Sequence, residues 1–497
     1  MSSMTAGRPA RPTQMKSAPA VVSWATRVWS DLAALVAYAA VIMVFFQRML
    51  VAGMAPLGHD LLFHFFPGQD ALRYGAVLCV FLAAFFTYLF GRLSLQLSSP
   101  ASWVAGAVFA FGGYLGAHAG NLSQLQAAVW LPVLLLCLER STVGRSRVAV
   151  VVGGVAAASQ LVGGQSQRAY YSGWALVLFA LYLALFGGFH RWRRLLPFAA
   201  LLSMGIAGAA MAAGVQLLSP LELIRGSSGL GGSAPGDATA VSVQLTAILD
   251  TVLPLYFATP DPAGVTAYTG IASLVLLPAA LARRERPGYQ WLLSGLAAVA
   301  LVLALGNETP VYRWLYGVVP GFDLLGAPSG WLSLYSFSLA LLTGMAVDQL
   351  RMPAEKDALQ RWVGAYGAVL SVGVALLVGL RLWLGTQDHE LALPHPRIVL
   401  NWWLFAGAGM AASLGTRSWP GSRLALGLLI GLLLLELYLA REPLQYNRPA
   451  LAAPRAQPAL AWPSTVMALR RASDRYTPAD EANRSVQLTW TAARHGS

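Results

Sequence analysis

Charge is what this chain has least of. Only 11% of its 497 residues are Asp, Glu, Lys or Arg, against about 25% in a typical soluble domain. That excludes a water-facing globular enzyme as the main body. Cysteine is nearly absent too. Cys79 and Cys137 both sit inside apolar runs, which argues against a disulfide framework or a cysteine metal site. The long runs show no strand-type alternation, so helices rather than a barrel must satisfy their backbone amides in lipid. No GxxxxGK[ST], no GxGxxG between strand and helix, no HExxH and no CxxC occurs. These absences argue against an ATP-driven pump within this one polypeptide and against donor binding by a soluble nucleotide fold. No small-residue cleavage site follows the first apolar run, which reads as a retained signal anchor.

What is abundant is apolar surface. Hydrophobic residues make up 57% of the chain, and the mean hydropathy is +0.58. Runs of about 17–25 residues, each able to cross about 30 Å of hydrocarbon, recur from Asp31 to Ala440. They predict an all-α integral membrane protein with thirteen spans, near 31–50, 73–96, 101–118, 122–139, 147–163, 168–187, 195–218, 266–282, 290–305, 328–348, 361–384, 397–414 and 422–440. Basic tracts set the expected orientation. Arg145/Arg147, Arg191/Arg193/Arg194, Arg283/Arg284/Arg286, Arg351/Lys356/Arg361 and Arg417/Arg423 fall in every second loop, as cytoplasmic loops require. The net charge of +13 is thus a topology signal, and nucleic acid is not an expected partner. A basic cytoplasmic tail (1–30) precedes the transmembrane domain (31–440), and a polar external tail (441–497) follows it. The expected outer loops are 51–72, 219–265 and 306–327. The expected location is the cell (cytoplasmic or inner) membrane, with the N-terminus inside and the C-terminus outside.

Acids follow the opposite geography. Asp60, Asp70, Glu222, Asp237, Asp250, Asp261, Glu308, Asp323, Asp388 and Glu390 all fall in expected outer loops. Either these loops simply need polar residues, or the acids line an external polar cavity. Three constellations bear on the choice. The loop GHDLLFHFFPGQD places His59, Asp60 and His64 just beyond the first span. Asp60 could cap a helix, act as a general base toward an acceptor hydroxyl, or hold a divalent cation, Mg or Mn, against a phosphate. The turns AHAGNLSQLQ and GGQSQRAYY put His118, Asn121, Gln165, Gln167 and Arg168 at the mouth between helices. Such groups can bind sugar hydroxyls or phosphate oxygens, or stitch helices together. Arg73, Arg168, Arg225 and Arg313 form a sparse set of outer arginines. Their partners are either the loop acids or an acidic ligand held bidentately.

Taken together, several segments resemble the YfhO-like bacterial membrane proteins of the C-type (GT-C) superfold of lipid-linked-sugar glycosyltransferases. The matches run from about residue 50 to 445 in consistent order. They comprise PLGHDLLFHFFP, FGGYLGAHAGNLSQLQAAVWLPVLLLCLER, GGQSQRAYY, GVQLLSPLELIRGSSG and LALGNETPVYRWLYGVVPGFDLLGAPSGW. The resemblance implies a GT-C-like bundle of about thirteen transmembrane helices with extracytoplasmic loops and a short external tail. It implies a transferase that moves a sugar from a polyprenyl-phosphate donor to an envelope polymer, glycolipid or protein. Asp60 matches the family's catalytic carboxylate. His118, Gln165, Gln167 and Glu222 match positions at the cavity mouth, and Arg225 and Asp323 lie in matching outer loops.

The chain also departs from the family. Its first outer loop is shorter, with Tyr74 already in the next helix. The family's Arg-x-Pro-x-Arg element is GAPSGW here, leaving Gly326 and Gly330 in place of both arginines. Two rivals stand beside the transferase: a transporter or flippase of lipid-linked substrates, and a non-catalytic protein of envelope assembly. Ionisable residues gathered at the outer surface and the lack of a visible repeat favour the enzyme over the transporter.

Overall fold

The computed structural model describes residues 24–47, 69–119, 121–144, 146–162, 166–187, 195–216, 251, 253, 267–281, 288–306, 309–319, 322, 328–351, 356–387, 399–404, 406 and 423–440. The chain divides into Met1–Arg448 and Pro449–Ser497, and every described residue lies in the first unit.

Among the described residues the regular structure is helical, without strands. The elements are α1 (Trp24–Phe45), α2 (Gln69–Leu93), α3 (Ser99–Phe111), α4 (Gly113–Ala117), α5 (Leu122–Val129), α6 (Leu131–Thr142), α7 (Arg147–Val162), α8 (Ser166–Phe186) and α9 (Leu196–Gln216). They continue with α10 (Ile271–Val275), α11 (Leu277–Leu281), α12 (Tyr289–Ala304), α13 (Pro310–Val318), a 3-10 turn (Pro328–Trp331), α14 (Leu332–Arg351), α15 (Lys356–Gln387) and α16 (Arg423–Leu439). Among the described residues, six helical segments are long and apolar enough, by length and composition, to cross a bilayer. The chain is an all-α, multi-pass membrane protein.

Three expected spans are interrupted. The span near 101–118 breaks at Gly112, whose backbone is extended between α3 and α4. A side chain there would meet Val108 O at 2.7 Å, so glycine is the residue that fits. The span near 122–139 breaks at Trp130 because Pro132, in the first turn of α6, has no N–H to continue the ladder. The span near 266–282 has non-helical residues at 267–270, and its helix begins at Ile271. Pro278 then separates α10 from α11.

Small residues set the packing. Between lipid-embedded helices no hydrophobic force operates, so close backbone approach must supply the attraction. On α7 and α9, a Cβ on Gly208 would lie 2.6 Å from Ala157 Cβ, and one on Gly154 would lie 2.9 Å from Ala207 Cβ. On α14, a Cβ on Gly344 would meet Ala101 O and Ala105 Cβ of α3 at 2.8 Å. On α14, Thr343 Oγ1 donates to Leu339 O of its own helix and Ser333 Oγ to Gly330 O of the preceding 3-10 turn, both at 2.8 Å, while the hydroxyls of Ser336 and Ser338 are buried without a partner. α14 sits centrally: 94% of the apolar 18-residue stretch within Pro328–Leu350 is buried, against 24% of the one within Gly364–Leu384 on α15.

The two ends of the bundle differ chemically. At one end, Asp31 accepts from Tyr88 and from Arg92 Nε (3.3 Å), and Arg92 Nη1 donates to Leu97 O at 2.9 Å. Asp348 accepts from Ser98 N at 3.0 Å, and Arg140 Nη2 donates to Leu93 O at 2.9 Å. Arg92 and Arg140 are thereby spent on a carboxylate and on carbonyls. The opposite end collects the termini of α1 and α16, where Phe45 packs on Phe111 and Tyr438, and Gln47 Nε2 donates to Tyr438 Oη at 3.2 Å. The α4 and α5 region and the starts of α8 and α10 meet there as well.

Candidate functional site

Among the described residues, two buried ionisable side chains, one acidic and one basic, occupy that second end, and the local sequence explains how each is positioned. The first is Glu436 on α16. Gly270 adopts φ 94°, a left-handed conformation natural to glycine, and a Cβ there would meet Glu436 Oε2 at 3.2 Å. The carboxyl accepts from Tyr268 Oη at 2.5 Å, from Ile271 N, and from Ala272 N at 3.1 Å. It thereby satisfies the first amides of α10, which have no partner inside that helix. Tyr268 O in turn accepts from Gly113 N at 2.7 Å, so Glu436 braces the start of α4.

The second charge is Arg168, in the first turn of α8. Its neighbours come from the turn between α4 and α5. Asn121 caps α5, its side-chain oxygen accepting from Gln124 N at 3.0 Å. In a full capping box the residue three beyond the cap reaches back to the cap's own N–H. Here Asn121 N already donates to His118 O at 2.9 Å, which frees the Gln124 side chain. Gln124 Oε1 accepts from Arg168 Nη2 at 2.8 Å. The guanidinium also lies over the ring of Tyr114, 5.2 Å from its centroid. Gln160 ties α5, α7 and α8 together behind it, donating to Ala127 O at 2.6 Å and to Ser172 Oγ at 2.9 Å.

Arg168 is only 7% exposed, yet its Nη1 has no hydrogen-bond partner and no carboxylate pairs with it among the described residues. The Tyr114 hydroxyl is likewise buried without a partner. Taking a cation out of water costs several kcal/mol. A charged hydrogen bond returns about 1.5–3 kcal/mol and a desolvated cation–π contact about 2 kcal/mol. The cation also stands at the N-terminal, positive end of a 21-residue helix, the end that favours anions. The desolvation cost and the helix end both point to a missing negative charge.

Aromatic rings wall the neighbouring space. Tyr171 packs on Trp331 at 4.6 Å, Phe322 on Trp331 at 6.1 Å and on Tyr312 at 5.2 Å, and Tyr170 on Phe322 at 6.4 Å. A Cβ on Gly330 would meet Tyr171 Cε2 at 2.3 Å. The ring occupies the space that an arginine at 330 would need.

Of the residues singled out in sequence, His118, Asn121 and Arg168 are brought together. Asn121 is used as the helix cap. His118 lies with its ring 4.6 Å from that of Tyr114, and its Nδ1 donates to Tyr114 O at 2.7 Å, since a carbonyl can only accept. Gln167 is half-buried beside Arg168, and Arg313 is exposed on α13. His59, Asp60, His64, Gln165, Glu222, Arg225 and Asp323 lie outside the described residues. No group of three or more His, Cys, Asp or Glu suited to a metal occurs among the described residues. Tyr114 and Gln124 were not singled out in sequence. Asn-Leu-Ser-Gln looks like a helix start, and that pattern hides the reach of Gln124 to another helix.

The sequence matches no protein-family model and no curated protein. One solved structure with which it aligns is ArnT from Cupriavidus metallidurans bound to undecaprenyl phosphate. That protein is 15% identical, the alignment covers 86% of this chain and 77% of the other, and the TM-score is 0.42.

Proposed function

We propose that this chain is a GT-C-type membrane glycosyltransferase, moving a sugar from a polyprenyl-phosphate donor to an acceptor hydroxyl of the cell envelope. One observation supports it above the rest: among the described residues the buried guanidinium of Arg168 has an unpaired Nη1 and no acid paired with it. A phosphate headgroup carries the missing charge, and its isoprenoid tail belongs in the hydrocarbon between helices.

In this proposal Asp60 takes the proton of the acceptor hydroxyl as that oxygen attacks the anomeric carbon. The bond from anomeric carbon to phosphate oxygen breaks, and the electron pair leaves with the phosphate. Arg168 meets the charge gained there, and single displacement inverts the configuration. His118 offers Nε2 to a sugar hydroxyl, its Nδ1 being spent on Tyr114 O. Gln165, Gln167, Glu222, Arg225, Arg313 and Asp323 complete the proposed polar mouth with His59 and His64. Should the transfer depend on a divalent cation, Mg or Mn, Asp60 is the residue to hold it, and a chelator arm decides the point.

The test is reconstitution with a panel of polyprenyl-phosphate sugars. Asp60→Asn should lower turnover about 10²–10⁴-fold, the usual worth of general base catalysis. Transfer at the wild-type rate by Asp60→Asn removes that residue from the chemistry. A second reading draws on the helix break at Gly112, since discontinuous helices are common in transporters. A flippase would move the labelled lipid between leaflets without releasing polyprenyl phosphate. Glu436 holds Tyr268, whose carbonyl accepts from Gly113 N beside the break, and so fastens it rather than leaving it free to open, which favours the enzyme.

A further inference from the structure

Gln124 is the only side chain that hydrogen-bonds Arg168 among the described residues, and it is a neutral amide. The natural partner for a buried guanidinium is a carboxylate, which forms two charge-assisted bonds and cancels the charge. Glutamate has the same length as glutamine, so the geometry would accept it with little change. We propose that Gln124 is a positioning residue that anchors Nη2, leaves Nη1 directed at the incoming phosphate, and by staying neutral reserves the cation's charge for that phosphate. This rests on the reading of Arg168 as the phosphate-facing cation.

Two contacts, one of them held from behind, position the guanidinium. Asn121 holds the first turn of α5 and so the root of Gln124. The amide oxygen of Gln124 holds Nη2 at 2.8 Å. The Tyr114 ring covers a face at 5.2 Å. What remains is Nη1, with the buried Tyr114 hydroxyl as a second unpaired donor in the same cluster. Two donors and one uncompensated charge suit a tetrahedral anion.

The experiment uses the full chain in lipid nanodiscs. Affinity is measured for a polyprenyl monophosphate, for the matching polyprenol without phosphate, and for inorganic phosphate. Gln124→Glu keeps the bond to Arg168 and strengthens it, so its thermal midpoint should equal or exceed that of the wild type. Its affinity for the polyprenyl monophosphate should nevertheless fall about tenfold or more, as expected when a buried charge pair is altered. Affinity for the polyprenol should be unchanged in every variant. Gln124→Met, which removes the anchor but adds no charge, should weaken monophosphate binding several-fold. Wild-type tightness toward inorganic phosphate alone would identify a soluble anion rather than a lipid headgroup as the ligand, and overturn the lipid form of the proposal. A stable Gln124→Glu protein that binds the monophosphate as the wild type does overturns the role of Gln124. Equal losses for monophosphate and polyprenol overturn it too, by showing a damaged groove. Arg168→Gln is the separate control: if it binds the monophosphate normally, the reading of Arg168 itself fails, whatever Gln124 does.

Discussion

Glu436 and Arg168 stand at the same end of the bundle, both more than nine-tenths buried, and they are treated in opposite ways. Glu436 receives three donors and satisfies the first amides of α10. Arg168 receives one neutral acceptor and one ring, and keeps a donor unused. A buried polar group with all its partners holds a fold together, whereas one that lacks a partner is a cost that something else must offset. The contrast is what motivates reading Glu436 as structural and proposing Arg168 as a ligand-facing cation, without reference to any relative.

The strongest way to break the contrast is Glu436→Leu. It strands Tyr268 Oη and two buried amides, and should lower stability by about 3–5 kcal/mol, read as a large fall in thermal midpoint with or without lipid. Next comes Arg168→Gln, with the opposite sign for stability. The ligand-free protein should melt at or above the wild-type temperature, while affinity for polyprenyl monophosphate drops by about 2–4 kcal/mol. Loss of ligand-free stability in this variant would mean that the cation is structural after all. Gly330→Ala should cost about 1–3 kcal/mol through overpacking against Tyr171, measured by thermal unfolding. A neutral result would show that the ring moves aside freely. Tyr114→Phe keeps the ring under the guanidinium and removes only the unpaired hydroxyl. Its effect on phosphate affinity should be the smallest, about 1 kcal/mol for one hydrogen bond, with stability unchanged or slightly raised.

Much of this was legible before any coordinates. The helical membrane class followed from apolar runs, and Arg168 stood out as a cation on the side where cations are disfavoured. His118, Asn121 and Arg168 were singled out from two separate turns, and the fold joins them. The helix breaks were harder to see. FGGYLG and WLP are short signals inside runs whose hydropathy never falters, and a hydropathy window averages them away. Gln124 was hidden for a different reason. Whether it completes a capping box or reaches α8 depends on Asn121 N donating to His118 O, a choice made by the turn's geometry. Gly330, noted as a lost arginine, acquires its reason only beside Tyr171.

The sequence by itself determined that this protein crosses a membrane many times as helices, because crossing depends on about twenty consecutive residues and those are read locally. It also determined which residue types sit at helix ends. Tertiary structure alone decided that Glu436 would be saturated and Arg168 left with an open donor. Partners 44 and 168 residues away in the chain meet only through packing, and hydrogen-bond satisfaction is a property of that meeting rather than of any stretch of sequence.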